Sequence, residues 1–396
     1  MATSGQTRSD SGLTGANRVA LAEVRAHAQR ERPRHMARVA SVLAGAGVEA
    51  DADVLLGTAG SDGVVTMHFH PDRLLADGRC VAQALFEEGV YRSQFETGIS
   101  GGGLTAYPGG DRDVWERALF AGAYQAPGVR TWERPKYGAL DLMGYPNGAC
   151  PGFGSCHLRL RRAATERATL IFGDSNAKPT DIGLIDAFAP VMAPLLENIA
   201  AGKGALGRSG VDVRAFVDGV LGGDLARRRG VFAPTMERHT LNDYIEAQVH
   251  GVVSLATDVE SLVIDRAFAG TPTGGLLLAM AKSFGFEAEW HPGSALALSE
   301  VPQEASDADG GELMRWQELC AAGRARRLAD RVIEHHGTAP RLDAANIGQA
   351  AVSAVRNPER WQDWGTPQQV RQDLKDLWVI TLAHGEPLPE AQFGAS

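Results

Sequence analysis

The sequence contains few cysteines and no cysteine motif. The four cysteines in 396 residues are Cys80, Cys150, Cys156 and Cys320, and none belongs to a Cys-x-x-Cys pair. This scatter excludes a zinc ribbon and a disulfide framework as the basis of the fold. We therefore expect free thiols in a reducing, cytoplasmic setting. Delivery to another cell by a machinery that reads no N-terminal signal stays open.

Long apolar runs are also missing. No stretch approaches 18 uninterrupted apolar residues, so we expect no membrane span. Residues 1–16 are polar, rich in Gly and Ser, and lack the apolar core of a secretion signal. We expect them to form a disordered tail.

An excess of positive charge is absent as well. The formal net charge is −9, with 44% hydrophobic and 22% charged residues. These fractions are ordinary for a water-soluble globular protein. An acidic chain is a poor generic nucleic-acid binder, although a local basic patch is compatible with this balance.

Alternating and β-branched segments predict an α+β fold. They are too irregularly spaced for a doubly wound sheet or a barrel of eight βα units, so we expect a mostly antiparallel core of short strands. The predicted strands are Val64–His70, Tyr137–Leu142, Cys156–Leu160, Ala168–Phe172, Asn242–Leu255, Val259–Asp265 and Ala288–Leu298.

Helical spacing of apolar residues dominates both ends of the chain. We expect helices over Asn17–Gly47, broken in two by Pro33, and a helix that ends near Gly89. Further helices are predicted over Val114–Phe120, Ile182–Ala201, Val211–Leu225 and most of the region after 304. The predicted divisions are N-terminal helices at 17–50, a catalytic domain at 51–303 with a helical insertion at about 181–240, and a C-terminal helical region at 304–396.

The stretch VVTMHFHPDR ends a predicted strand with two histidines spaced i, i+2. Residues at this spacing face the same side of a strand, so His68 and His70 could reach one metal ion. His157, His250 and His291 also lie in or beside predicted strands, and Asp72 or Glu246 would supply the carboxylate of a metal-dependent hydrolase. The alternative is that each histidine only bonds neighbouring backbone at a strand end.

The segment YRSQFETGISGGG favours a ligand-binding loop. It combines Arg92 and Ser100 with glycines that let backbone N–H groups approach a phosphate or pyrophosphate. It contains neither a P-loop nor a dinucleotide fingerprint. A hydrogen-bonded surface loop is the alternative interpretation.

Two strand segments present polar side chains of interest. In NDYIEAQVHG, alternation places Tyr244, Glu246 and Gln248 on one face of a strand. A carboxylate aimed into a cleft suits general-base catalysis or binding of a ribose hydroxyl. In RPKYGAL, Tyr137 precedes a glycine and could stack on a planar ring, although half-buried core is the commoner role of such a tyrosine.

These phrases together resemble known families. HFHPDR, YRSQFETGIS, RPKYGAL, FGSCHLRL and DYIEAQVHG, in this order, resemble an uncharacterised bacterial family defined by a domain of unknown function, over roughly 64–298. The chain also resembles the ADP-ribosyltransferase superfamily. That resemblance implies a split, mostly antiparallel β-core: a first strand ending in histidine or arginine, a helix ending in glycine, a middle strand with tyrosine or serine and a late strand with glutamate.

The second resemblance implies NAD as a substrate. A first-strand histidine, His68 or His70, would bond the ribose of the nicotinamide half, and Tyr137 would stack on nicotinamide. Glu246 would stabilise the charge that develops as nicotinamide leaves. Arg92 would contact the pyrophosphate, with Ser100 and Gln248 as further NAD contacts. The acceptor stays open, with a protein favoured. A metal-dependent hydrolase and a non-catalytic NAD-binding module are the alternatives.

Overall fold

The computed structural model describes residues 12–99, 105–223, 243–303, 315–337 and 339–388. Ser100 lies outside these ranges, as do most of the predicted N-terminal tail and the acidic stretch after 303. All four cysteines lie inside them and carry free thiols. No described helix is long and apolar enough to cross a membrane.

The α+β class predicted from the sequence is confirmed. Long helices lie at both ends of the chain, and further helices lie between the strands. The strands are β1 Val64–Phe69, β2 Val90–Tyr91, β3 Lys136–Asp141, β4 Cys156–Leu160, β5 Ala168–Phe172, β6 Gly183–Leu184, β7 Ile245–Val249, β8 Val253–Ser254, β9 Val259–Asp265, β10 Glu287–His291, β11 Leu296–Ala297 and β12 Arg341–Leu342.

Eight of these strands form one mixed sheet in the order β10-β9-β4-β1-β3-β7-β5-β6. Every neighbouring pair is antiparallel except β9 and β10, which run parallel. β1 bonds to β3 on one side and to β4 on the other. The finer prediction of a split core is not confirmed by this pairing and stays a prediction. The pairs β2–β8 and β11–β12 lie outside the sheet.

The sheet has one apolar and one polar face. On β7, Ile245, Ala247 and Val249 alternate with Glu246 and Gln248, as the sequence predicted, because successive side chains of a strand point to opposite faces. The apolar set belongs to the main hydrophobic core. The polar set is buried too, so this face also lies against other parts of the protein.

Fourteen described helices surround the sheet. They are Gly15–Gly45, Ala52–Asp62, Val81–Glu88, Gln94–Thr97, Asp111–Leu119, Arg162–Thr165, Ala189–Ala200, Val213–Leu221, Leu255–Asp258, Pro272–Phe284, Arg315–Ala321, Arg324–His336, Ala344–Arg356 and Pro367–His384. The described part of the predicted C-terminal helical region therefore contains four helices. The predicted domain boundaries themselves stay a prediction.

Pro33 does not divide the N-terminal helix. A single helix runs from Gly15 to Gly45 with Pro33 inside it. Proline inside a helix costs about 3 kcal/mol, because it removes one hydrogen bond and crowds the preceding turn. Burial on both sides of Pro33 offsets this cost, from Val24 before it to Val39 after it.

Three other predicted elements have different limits. The segment Ile182–Ala201 contains β6 and then a helix that begins only at Ala189, where Pro190 occupies the first turn as is common at helix starts. The segment Asn242–Leu255, whose first residue lies outside the described ranges, contains two strands because Gly251 turns the chain with φ of +83°. The segment Ala288–Leu298 likewise divides into β10 and β11.

Candidate active site

Three neighbouring strands bring His68, Tyr137 and Glu246 to one cleft. Ala139 on β3 lies opposite Thr66 on β1 and opposite Glu246 on β7. Residues two positions apart share a face, so His68, Tyr137 and Glu246 all project from the polar face. All three line a cleft with an empty volume of about 1200 Å³, which includes the part open to solvent.

Glu246 is a buried and firmly oriented carboxylate. Only 4% of its surface is exposed. Its Oε2 accepts hydrogen bonds from the backbone N–H and the hydroxyl of Ser175, at 3.3 and 3.2 Å, and its Oε1 accepts one from Gln248 Nε2 at 2.8 Å. Burial, followed by the charge of Asp174, raises the pKa of Glu246, while Arg112 opposes the rise. An oriented carboxylate of this kind is suited to stabilise a positive charge that forms beside it.

Gln248 lies behind Glu246 and not on the cleft wall. Its side chain is fully buried, with its amide N–H on Glu246 and its carbonyl oxygen accepting from the Thr169 hydroxyl at 2.7 Å. Gln248 is not among the described residues that line the cleft. Gln248 was predicted to contact NAD, but its position suits it to orient Glu246.

The helix Asp111–Leu119 supplies a cation that the sequence analysis missed. Arg112 and Trp115 are three residues apart, so they share a face of the helix, and both line the cleft. The Arg112 guanidinium carbon lies 4.8 Å from the centre of the Trp115 ring and 4.3 Å from that of Tyr137. Its Nη1 donates a hydrogen bond to Ser175 Oγ at 2.7 Å. Burial works against the charge of Arg112, but Tyr137, Glu246 and Asp174 together raise its pKa above the usual value.

Tyr137 is fixed by a buried acidic group. Its hydroxyl donates to Glu116 Oε1 at 2.9 Å, and Glu116 Oε2 accepts from Arg134 at 2.7 Å. Burial raises the pKa of Glu116 to about 7, although Arg134 pulls it down. The Tyr137 ring is thus held in one orientation, with Arg112 against it.

His68 bonds to backbone through both ring nitrogens. The backbone N–H of Cys150 donates to its Nε2 at 3.3 Å, so Nδ1 carries the proton that the carbonyl oxygen of Gly154 accepts at 3.1 Å. The ring also stacks on His157, with ring centres 4.9 Å apart. Neither nitrogen presents a free lone pair to a metal. The same two hydrogen bonds occupy the ring groups that would bond a ribose, so the ribose contact predicted for a first-strand histidine does not fit His68 in this arrangement. Within the described ranges, no group of three or more His, Cys, Asp or Glu side chains is arranged to hold a metal ion.

His70 lines the same cleft as His68. It also lines a second, smaller pocket formed with the C-terminal helices, and its ring meets the edge of Trp378 with centres 5.8 Å apart. Burial, assisted by Arg73, Lys375 and His68, lowers the pKa of His70 to about 3. His70 is therefore neutral near pH 7.

The loop after the helix Val81–Glu88 carries Arg92 into the cleft. Gly89 ends that helix with φ of +66°, a left-handed conformation that favours glycine, as the sequence predicted. Arg92 Nε pairs with Glu88 at 3.0 Å. Its Nη2 is buried without a hydrogen-bond partner among the described residues, as are Gln94 Oε1 and Arg112 Nε. Three cleft-lining side chains therefore retain hydrogen-bonding capacity.

Asp174 and Ser175 follow β5 and were not recognised from the sequence. Gly173 has φ of +85°, which turns the chain so that Ser175 meets Glu246. Asp174 accepts from the Tyr244 hydroxyl at 2.9 Å and lines the cleft with it. The available signal was a Gly-Asp-Ser sequence directly after a predicted strand, at a loop where functional residues often occur.

Comparison with known proteins agrees with the first resemblance drawn from the sequence. A family model described as "Protein of unknown function (DUF3626)" matches residues 64–383. This range covers most of the chain, and it extends beyond the predicted 64–298 to include the C-terminal helices. No curated protein matches the chain. The chain belongs to the DUF3626 family of proteins of unknown function.

Proposed function

We propose that the protein is an NAD-dependent ADP-ribosyltransferase-like enzyme. It cleaves the nicotinamide–ribose bond of NAD and transfers ADP-ribose to an acceptor, for which a protein is favoured. One observation carries the proposal: the Glu246 carboxylate shares a cleft with Tyr137 and His68, and the three come from adjacent strands.

The order of elements along the chain supports an ADP-ribosyltransferase type of core. His68 lies on the first strand, a helix that ends at Gly89 follows, Tyr137 lies on a middle strand and Glu246 on a late strand. This is the order implied by the resemblance drawn from the sequence. β1, β3 and β7 are also consecutive in the sheet.

The chemistry calls for a carboxylate at this place. When the bond between the anomeric carbon and the nicotinamide nitrogen breaks, its electron pair leaves with nicotinamide, and the ribose ring becomes positively charged. Glu246 would stabilise that charge electrostatically. A nucleophilic atom of the acceptor then bonds to the anomeric carbon and loses its proton.

The remaining cleft residues fit a dinucleotide. Arg92 and Arg112 both line the cleft, and each has a buried guanidinium nitrogen without a partner among the described residues. Guanidinium groups bind phosphate oxygens with strong, charge-assisted hydrogen bonds. Gln94 adds an amide oxygen that has no partner among the described residues and can accept from a hydroxyl or an exocyclic amine. These groups would bind the pyrophosphate and polar edges of NAD.

The alternative of a metal-dependent hydrolase gains no support from the described site. The reason is the geometry of His68, whose two ring nitrogens are already bonded to backbone. A non-catalytic NAD-binding module has the same cleft, so activity measurements have to separate it from the enzyme.

A thermal shift with NAD is the first test. A ligand that binds only the folded state stabilises it by about 2.7 kcal/mol when present at 100 times its dissociation constant. We expect the melting temperature to rise with NAD at millimolar concentration. An unchanged melting temperature would contradict the proposal.

Nicotinamide release is the second test. With cell lysate as acceptor source, we expect the wild-type protein to release nicotinamide from NAD. Glu246→Gln should lower kcat by about 100-fold or more, as loss of an electrostatic stabiliser does, and retain NAD affinity. Glu260→Gln is the matched control, because Glu260 is exposed on β9. NAD binding without nicotinamide release would identify the binding module instead.

A further inference from the structure

A series of hydrogen bonds links Glu246 to the N-terminal helix. Starting from Glu246, it passes through Gln248 at 2.8 Å and Thr169 at 2.7 Å, then reaches His250 at 3.0 Å. From His250 Nδ1 it continues to the Tyr124 hydroxyl at 2.5 Å, and Tyr124 accepts from Asn17 Nδ2 at 2.9 Å. We call these five residues beyond Glu246 the relay: Gln248, Thr169, His250, Tyr124 and Asn17.

Each hydrogen bond in the relay has a defined direction. The Asn17 amide can only donate to Tyr124, so the Tyr124 hydroxyl proton is available for His250 Nδ1. His250 Nε2 must then carry a proton, which it donates to Thr169, and the Thr169 hydroxyl donates to the Gln248 oxygen. The Gln248 amide donates to Glu246. Every donor therefore points toward the carboxylate, which is the final acceptor.

Burial makes this arrangement obligatory. Gln248, Thr169, His250 and Asn17 are fully buried, and Tyr124 is almost so. A buried polar group that loses its partner costs free energy, so the relay residues cannot turn away to bond water. Burial, with Lys136 and Arg167 nearby, lowers the pKa of His250 to about 3, consistent with a neutral ring that accepts at one nitrogen and donates at the other.

We propose that the relay residues are positioning residues for Glu246 and that they fix the catalytic carboxylate through the N-terminal helix. The proposal rests on the proposed function for the catalytic role of Glu246. It gives Asn17 the role of holding the Tyr124 hydroxyl, although Asn17 lies outside residues 64–383 matched by the family model. It also gives Gln248 and His250 roles that require no contact with substrate.

Thr169 is the best place to interrupt the relay. Thr169→Val keeps the shape of the side chain and removes the hydroxyl, whereas Thr169→Ser keeps the hydroxyl. We expect Thr169→Val to lower kcat for nicotinamide release by about 10-fold with KM for NAD unchanged within about 2-fold, and Thr169→Ser to retain most of the activity. Thr381→Val is the control, because Thr381 is equally buried and its hydroxyl donates within its own helix.

Two kinetic outcomes would overturn the inference. One is an unchanged kcat in Thr169→Val. The other is a parallel loss of kcat, NAD affinity and melting temperature that Thr169→Ser does not reverse, because this indicates structural damage without a positioning effect.

A measurement independent of activity separates the inference from the proposed function. Nitrogen-15 NMR of the His250 ring in the wild-type protein should show a neutral ring with the proton on Nε2 and a hydrogen-bonded Nδ1. The Nε2 signal should shift in Thr169→Val. If nicotinamide is not released at all, the proposed function fails and this spectrum alone decides on the relay. A charged ring, or a proton on Nδ1, would refute it.

Discussion

The guanidinium of Arg112 lies 4.3 Å above the ring of Tyr137 and donates a hydrogen bond to Ser175, the residue that also bonds Glu246. A planar cation therefore already rests against the tyrosine expected to stack on nicotinamide. The nicotinamide ring of NAD is itself a planar cation, and two such groups cannot share one face of a ring. Nicotinamide would stack on Tyr137 either from the other side or after Arg112 has moved.

Arg112 should set the pH at which Glu246 becomes active. Its charge opposes the rise in the pKa of Glu246 caused by burial and by Asp174. Arg112→Leu removes this opposition, so the pKa of Glu246 should rise further. Because the proposed mechanism requires the ionised carboxylate, the acidic limb of the kcat profile should move to higher pH. Measuring kcat for nicotinamide release from pH 4 to 9 locates the acidic limb in the wild-type protein and in Arg112→Leu.

Arg112→Lys serves as the comparison variant. It retains the positive charge while losing the planar fork. Its acidic limb should stay closer to that of the wild-type protein than the limb of Arg112→Leu. An acidic limb at the same pH in all three proteins would show that Arg112 does not act on Glu246.

The sheet was largely predictable because its signals are local. Alternation and β-branched residues gave β4, β5 and β9 their observed limits. The N-terminal helix was divided wrongly at Pro33, because its continuity depends on burial against distant residues that one segment does not reveal. Local propensity is regularly overridden by such tertiary packing.

The site was predictable in part for the same reason. His68, Tyr137 and Glu246 belong to strand patterns, so their faces could be worked out from alternation. Arg112 and Ser175 reach the cleft only through the packing of a helix and a loop around Glu246. Neither short segment reveals on its own that it will lie beside Glu246. Ser175, for example, is more than 70 residues from Glu246 in sequence.

Gly148 should be required for the position of His68. A Cβ atom at Gly148 would lie 2.5 Å from His68 Nε2 and 3.0 Å from His157, and the φ of +78° disfavours any other residue. Gly148→Ala should therefore displace the His68 ring, destabilise the fold by about 1–3 kcal/mol beyond the backbone cost and reduce nicotinamide release. Urea denaturation and the activity assay measure the two effects.

Gly128→Ala is the matched control for that change. Gly128 has a similar φ of +86°, but an added Cβ would meet no atom of the described residues within 4 Å. It should carry the backbone cost alone, about 1 kcal/mol, and leave activity unaltered. An equal loss of unfolding free energy in both variants would mean that the His68 ring can move aside without a measurable loss of stability.

Chelation should have no effect on this protein. Since both ring nitrogens of His68 are bonded to backbone, we expect neither structure nor activity to depend on a divalent ion at that histidine. Treatment with EDTA followed by gel filtration should leave the melting temperature and nicotinamide release unchanged. A fall in either quantity that added zinc or manganese reverses would restore the metal-dependent alternative.

Asp265 should make the fold less stable as the pH rises. It is fully buried at the end of β9, its Oδ1 accepts from the Ala267 N–H at 2.9 Å, and its Oδ2 has no partner among the described residues. Burial, with a smaller effect of Asp343, raises its pKa to about 8. The folded state therefore holds a proton that the unfolded chain, with a pKa near 3.9, has released. This contribution to stability is complete below about pH 4 and is lost as the pH rises through about 8.

Asp265→Asn cannot ionise and should not lose stability in this way. Comparing the free energy of unfolding at pH 5.5 and 8.5 in both proteins cancels the pH dependence of all other groups, and with it any constant cost of the new amide. We expect the wild-type protein to lose more stability between the two pH values than the variant does, by more than about 1.4 kcal/mol, the equivalent of one pKa unit. The exposed Glu260→Gln on the same strand should behave as the wild type does. If Asp265→Asn and the wild type lose the same amount, Asp265 is ionised in the fold at both pH values and its charge must be satisfied by a contact that the described residues do not provide.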